Sequence, residues 1–390
     1  MLFAVPPSEA SAWRAIFIIS FLVGIFAIAV GGTPVLLGVL LTRQGIGEGV
    51  IGISAAFGPL GIVASSFIVP AAAAHFGAVR IAVGSCLTGM AAMAAMAIVP
   101  DPIVWIPARA IWGLAVGGFY IVNKAWLAKI TPEQHRGRVF GIYASCLCVG
   151  FASGPLLVSL ADFRAAQCFA LLGAAFVLCA LGVLMARRHL PAFKDTTRMP
   201  VIGALPLIPV ALLAAASFGA FDHATLAFLP RFGTVYGLSA AAMGIGLSIL
   251  NVGNVLLQPA IGTASDRWGR RPVMVGCALL AALGGGFLPL VIGSPLVYPF
   301  LFVWGACAYG VTTVAFAAIS DQFRGSQLLG CSAAMTLAGG FGGVAGPPAV
   351  GFLQETMSMN AFPQAIAFIF AALALLAFAF NVVRSTMPRH

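Results

Sequence analysis

Within the apolar stretch 204–230 stand one acid and one imidazole, Asp222 and His223. A carboxyl held away from water favours its neutral form, so it can take up and release a proton as proton coupling requires. An adjacent acid and imidazole also suit acid–base catalysis. No Ser or Cys nucleophile motif accompanies them, so an enzyme is not expected. A second apolar stretch, 103–128, holds two cations, Arg109 and Lys124. On a helix they fall within about 60° of each other, with Tyr120 and Gly113 on the same face. Such a stripe can hold an anionic solute in a cavity; the alternative is that each cation reaches back to water along its own apolar stem. A third stretch, 240–264, carries Asn251, Asn254 and Gln258 at spacings of three and four. Amides there can bind a solute or join helices. Gln258 is read as joining, while both roles stay open for Asn251 and Asn254. Tyr309, Thr312 and Thr313 add a weaker polar face, and Thr33–Pro34 is read as a kink.

A different chemistry is concentrated in "GTASDRWGRRP", residues 262–272. Gly262 would let one helix end approach its neighbour closely, and Gly269 would permit a tight turn. Asp266 can sit at a neighbouring helix N-terminus or pair with Arg270. Together with Arg267 and Arg271 this forms a charge cluster able to hold one conformation and break in another. The alternative is a basic loop that only fixes orientation.

These residues sit in a chain of 390 residues that is 61% hydrophobic and 8% charged, with a mean hydropathy of +1.06. A water-soluble domain carries about a quarter charged residues, so the solvent here is a bilayer. Charge-free runs such as 81–100, 167–186 and 361–383 suffice to cross it, at about 20 apolar residues each. The pattern predicts twelve helices: 15–41, 51–73, 80–99, 103–128, 138–160, 165–186, 204–230, 240–264, 272–292, 296–319, 327–353 and 361–383. With both termini on one side, fifteen of the 20 Lys and Arg fall on that side and three opposite, namely Arg43, Arg164 and Arg231. Arg109 and Lys124 remain inside. By the positive-inside rule the termini are cytoplasmic. The net charge of +10 is thus a topology signal, and no basic–aromatic patch points to nucleic acid. No cleavable signal peptide is evident. The eight cysteines all fall in expected helices without a C-x-x-C or His cluster, so they are read as packing residues and no metal site or disulfide is expected.

The polar stretch 187–203 divides the chain into an N-terminal six-helix bundle, 1–186, and a C-terminal one, 204–390. "PAAAAHFGAVRIAVGS" from Pro70 stands 192 residues before "GTASDRWGRRPVMVGC" from Gly262, aligning Gly77 with Gly269. Gly150, Gly154 and Pro155 match Gly342, Gly346 and Pro347 at the same offset. Two parallel repeats of this kind are a transporter architecture, with a binding site expected near mid-membrane.

In these motifs the chain resembles the major facilitator superfamily along essentially its whole length. The stretch from Gly262 to Arg271 is similar to the family's loop between helices 8 and 9. The copy between helices 2 and 3 departs from the pattern, with Ala74, His75, Ala78 and Val79 at the charged positions. "RAIWG" with Arg109 and Gly113 resembles the helix 4 motif, and Gly150-x-x-x-Gly154-Pro155 the antiporter signature of helix 5. "RGRVFGIY", residues 136–143, is similar to a bacterial branch resembling drug-efflux carriers, although Lys124 stands where that branch has an acid. The resemblance implies an all-α fold and a proton-coupled exporter of a small organic solute in a bacterial inner membrane. Its partners would be protons, substrate and membrane lipid, with no cofactor, and the chain is expected as a monomer. The competing expectations are uptake of an organic anion, favoured by the two cations, and a transport-inactive sensor or scaffold. No Walker motif supports ATP-driven pumping.

Overall fold

The computed structural model describes residues 9–131, 136–160, 165–188, 190, 205–323 and 325–380. Among them are twelve α-helices and no strand: α1 (Glu9–Arg43), α2 (Glu48–Phe76), α3 (Ala78–Ile98), α4 (Pro102–Ile130), α5 (Arg136–Leu160), α6 (Ala165–Ala186), α7 (Pro209–Val235), α8 (Ala240–Trp268), α9 (Arg270–Val291), α10 (Val297–Gln322), α11 (Gly325–Thr356) and α12 (Ala361–Ala379). Eleven are long and apolar enough to cross a membrane, which makes this an all-α, multi-pass membrane protein. The twelfth, α11, is diluted by glycines and by Pro347 and Pro348. Beyond its first two residues and Leu190, the expected connection 187–203 lies outside the described residues. So do Arg164, Lys194, Arg198, Arg324, Arg384 and Arg389 of the charge count.

Helix starts follow local chemistry. The Asp101 carboxylate accepts from the Ile103 N–H at 2.8 Å, and Pro102, which has no N–H to leave unsatisfied, opens α4. Ser239 caps α8 by accepting from the Ala242 N–H at 3.1 Å. Single glycines with left-handed backbone separate two consecutive helix pairs, Gly77 (φ 88°) between α2 and α3 and Gly269 (φ 92°) between α8 and α9. Any residue with a Cβ would be strained at either point.

One helix is displaced from expectation. The range 204–230 is observed as Pro209–Val235. Residues 205–207, with Pro206 in the middle, form a 3₁₀ turn, and Pro209 takes the first helical position that suits its fixed φ. The far end runs through Pro230, since a membrane helix packed among neighbours tolerates the missing hydrogen bond. Asp222 is therefore thirteen residues from either end of α7. It lies at the middle of the helix, whereas the expected range 204–230 put it well past the midpoint.

The described residues divide into two compact units. One comprises those within Met1–Thr33, Gly61–Leu157 and Ala161–Thr196; the other those within Pro34–Leu60, Val158–Leu160 and Thr197–His390. In the first, α3 packs on α4 and α6, and Phe26, Phe119 and Phe176 form an aromatic core with centroids 4.2 to 5.0 Å apart. In the second, α7 packs on α11, α8 on α10 and α9 on α12, around Phe221, Trp304 and Phe370. The repeat seen in the sequence recurs in these contacts. A Cβ on Gly150 would fall 1.9 Å from the Gly24 carbonyl oxygen, and one on Gly342 would fall 1.9 Å from that of Ala216. Gly61 meets the Ala110 carbonyl as Gly253 meets that of Phe302. Every residue here is 192 positions from its counterpart. Small residues let membrane helices touch backbone to backbone, and both halves spend theirs at the same crossings.

Candidate functional site

The second unit gathers a polar cluster where α7, α8 and α10 meet. The Tyr309 hydroxyl donates to Asp222 Oδ1 and stands 3.3 Å from Asn251 Oδ1. The Asn251 amide is oriented by its own helix, its Nδ2 donating to the Leu247 carbonyl at 2.9 Å. On the other side of the carboxyl, His223 Nδ1 is 3.8 Å from Asp222 Oδ2. The His223 ring fills the space left by the absent side chain of Gly343, beside Pro59 of α2. Edge-on contacts from Phe218 and Phe221, with centroids at 5.1 and 6.0 Å, fix the Tyr309 ring. Among the described residues no Lys or Arg pairs with Asp222. The partner from another helix is Tyr309, a neutral donor. Asn254, one turn beyond Asn251, is half-buried. Gln258 donates to the Ala306 carbonyl at 3.1 Å and so joins α8 to α10.

In the first unit the α4 stripe separates by exposure. Arg109 is 3% exposed, sealed within the unit. Tyr120 is half-buried against Phe26, and Lys124 is exposed. Of the two cations, Lys124 alone is surface-exposed.

The charge cluster at the α8–α9 turn is more extensive than its motif. Arg270 pairs with Asp266 at 2.5 Å. It also takes Asp321 of α10 in a fork, Nε at 2.8 Å and Nη2 at 3.3 Å, and donates to Ser265 Oγ at 2.6 Å. Arg271 donates to the Ala377 carbonyl at 3.0 Å near the end of α12, where helix carbonyls lack partners. Arg267 is exposed. Four helices, α8, α9, α10 and α12, are thus tied at one end by two arginines. Gly262 corrects an expectation: a Cβ there meets nothing within 4 Å, so no close helix approach depends on it. Its carbonyl instead accepts from Ser265 Oγ at 2.8 Å, ordering the serine that meets Arg270.

Gly150 and Gly154 lie against α1, and Gly342 and Gly346 against Ala216 and Ala220 of α7. Pro155 and Pro347 lie inside α5 and α11.

Sequence reasoning missed one pair. Glu48 at the start of α2 forms an ion pair with Arg231 near the end of α7, with the acid side chain 6% exposed. Around it α2 and α11 touch directly, since a Cβ on Gly52 or on Gly351 would fall 2.3 Å from the carbonyl oxygen of Pro347 or Glu48. The available signal was scarcity: with ten acids in 390 residues, an arginine near a helix end has few candidate partners.

The chain is matched by a family profile described as Major Facilitator Superfamily over residues 16–253 and again over 207–389. An uncharacterized MFS-type transporter of Bacillus subtilis, YfkF, is 25% identical over 279 residues, 70% of each chain. Among solved structures, the nucleoside transporter NupG superposes with a TM-score of 0.74 at 17% identity, covering 94% of this chain and 98% of that one. A D-xylose-proton symporter superposes with a TM-score of 0.70 at 15% identity, covering 97% and 98%.

Proposed function

The chain belongs to the Major Facilitator Superfamily, a family of transporters rather than enzymes, and on that premise we propose that it couples a small organic solute to protons and exports it by alternating access. The observation that carries this reading is Asp222: a carboxyl at the midpoint of a spanning helix, held by the neutral donor Tyr309. An ionised carboxylate at that depth is costly, and a group in such a place is functional by default. Asp222 can be neutralised by taking a proton, which lets the emptied carrier return. That a transporter of the same fold is named a proton symporter accords with this choice of ion.

In this reading the exposed Lys124 and half-buried Tyr120 of α4, with Arg109 behind them, and Asn251 and Asn254 of α8 contact the solute. The cluster at Asp266, Arg270 and Arg271 latches the cytoplasmic end. The repeats are residues 1–186 and 204–390, joined by a cytoplasmic connection 187–203. Both termini are cytoplasmic, and the protein works as a monomer in a bacterial inner membrane. The second reading, uptake of an organic anion, is favoured by the exposed cation Lys124.

A thermal-shift screen of metabolites and drugs identifies a solute, because binding to the folded state raises its stability. With that solute, Asp222→Asn in sealed vesicles abolishes gradient-driven accumulation yet preserves exchange, since the amide imitates the protonated acid. Accumulation that survives in the Asn variant under an imposed pH difference contradicts the proposal. The direction of proton-driven movement separates export from uptake.

A further inference from the structure

Tyr309 has one hydroxyl proton and two acceptors in reach, Asp222 Oδ1 on α7 and Asn251 Oδ1 on α8. The identity of the second acceptor is fixed, because the Asn251 Nδ2 must face the Leu247 carbonyl, to which it donates at 2.9 Å. Its carbonyl oxygen is left pointing at Tyr309. The two contacts are unequal. The hydroxyl is closely engaged with the carboxyl, whereas 3.3 Å to Asn251 is beyond the usual O–H···O range of about 2.5–3.0 Å. A bond to an ionised acceptor is stronger than one to a neutral amide, so the carboxylate takes the proton of Tyr309.

We infer that Tyr309 is a positioning residue that reports the protonation state of Asp222 to α8. With Asp222 ionised, Tyr309 donates to Oδ1 and ties α10 to α7. When a proton arrives on Oδ1, the carboxylic acid donates to the Tyr309 oxygen. The hydroxyl proton of Tyr309 then turns to Asn251 Oδ1 and ties α10 to α8. One proton enters, none is lost, and each donor keeps an acceptor. A movement of a few tenths of an ångström by the ring brings the Asn251 contact into the ordinary range.

Other groups stand around the carboxyl. From α7 itself His223 faces the other oxygen, Oδ2, at 3.8 Å. From α8 comes the Asn251 amide, α11 brings Gly343 against His223, and α12 brings Phe370 against Phe221. The repeat supplies independent support. The positions 192 residues before Asp222, Asn251 and Tyr309 are Val30, Pro59 and Gly117. All three members of the relay are departures from the duplicated framework, so none is required to pack it.

This inference rests on the proton-coupled reading, and its test uses the proton itself as probe. Full-length protein in lipid vesicles, with side-chain-labelled asparagine, is stepped in pH and followed by infrared difference spectroscopy. The wild type shows a carboxylic C=O band that Asp222→Asn lacks, together with a shift of an asparagine carbonyl band assigned by its loss in Asn251→Leu. Tyr309→Phe keeps the ring packing and the carboxylic band but loses the asparagine shift. In Asn251→Leu the tyrosine C–O band still responds to the step but with a different shift from the wild type's, because the hydroxyl proton has no Asn251 oxygen to turn to; a shift identical to the wild type's overturns the relay from its other end. An asparagine shift that persists in Tyr309→Phe, or a wild type whose carboxylic band comes without one, overturns the relay and leaves proton coupling standing. Absence of any Asp222 carboxylic band sinks both.

Discussion

Lys124 and Arg109 share a helix and a charge but not an environment, and that difference sets what each substitution does. Lys124 is exposed, so on the proposed reading Lys124→Ala removes a solute-binding cation without disturbing a packed interior. Binding of acidic solutes weakens by roughly tenfold relative to neutral ones, the size of one charge-assisted hydrogen bond. Arg109 is 3% exposed, so Arg109→Ala acts first on the fold and lowers the melting temperature. Thermal-shift titrations with acidic and neutral solutes check both, and equal losses for the two solute classes in Lys124→Ala contradict a binding role. At this scale the sequence is informative about ionisable groups, because Asp222, Arg109 and Lys124 stand out in an apolar run. It says less about Tyr309, which it places only on a weaker polar face with Thr312 and Thr313. A tyrosine on an apolar helix is ordinary, and its meaning comes from meeting residues 87 and 58 positions away.

Between helices, glycine decides how close two backbones come, and the structure separates glycines that do this from those that do not. Gly342→Ala places a methyl 1.9 Å from the Ala216 carbonyl oxygen and costs about 1–3 kcal/mol as α7 and α11 are forced apart. Gly262→Ala meets open space and stabilises α8 by up to about 1 kcal/mol through helix propensity. Reversible unfolding in detergent distinguishes the two, and destabilisation by Gly262→Ala would restore the close approach its motif suggested. The latch has the same character. Arg270 divides itself between Asp266 four residues away and Asp321 fifty-one residues away. Asp321→Asn therefore slows transport in sealed vesicles while leaving abundance unchanged; an unchanged rate removes the latch role from Asp321. Local pairs such as Asp266 and Arg270 can be read along a chain. Asp321, and Glu48 with Arg231, could not be, because the fold brings them together. The start of α7 was misplaced for a local reason, two prolines three residues apart, of which only the second opens the helix.

At the scale of the whole molecule, duplication supplied the packing and divergence supplied the chemistry. Repeat-related glycines meet repeat-related carbonyls, yet three ionisable groups of the spanning helices have no counterparts. Arg109 and Lys124 correspond to Leu301 and Phe316, and Asp222 corresponds to Val30. The cations belong to one repeat and the acid to the other, as expected where one half binds solute charge and the other carries a proton. The central claim is that solute and proton movement are linked at Asp222. It is tested most directly by adding the screened solute to one side of sealed vesicles loaded with a pH-sensitive dye, with no pH difference imposed. The account predicts a solute-driven pH change inside wild-type vesicles and none with Asp222→Asn, although the variant still exchanges solute. Solute flux without a pH change in the wild type, or an undiminished pH change in the variant, would contradict it.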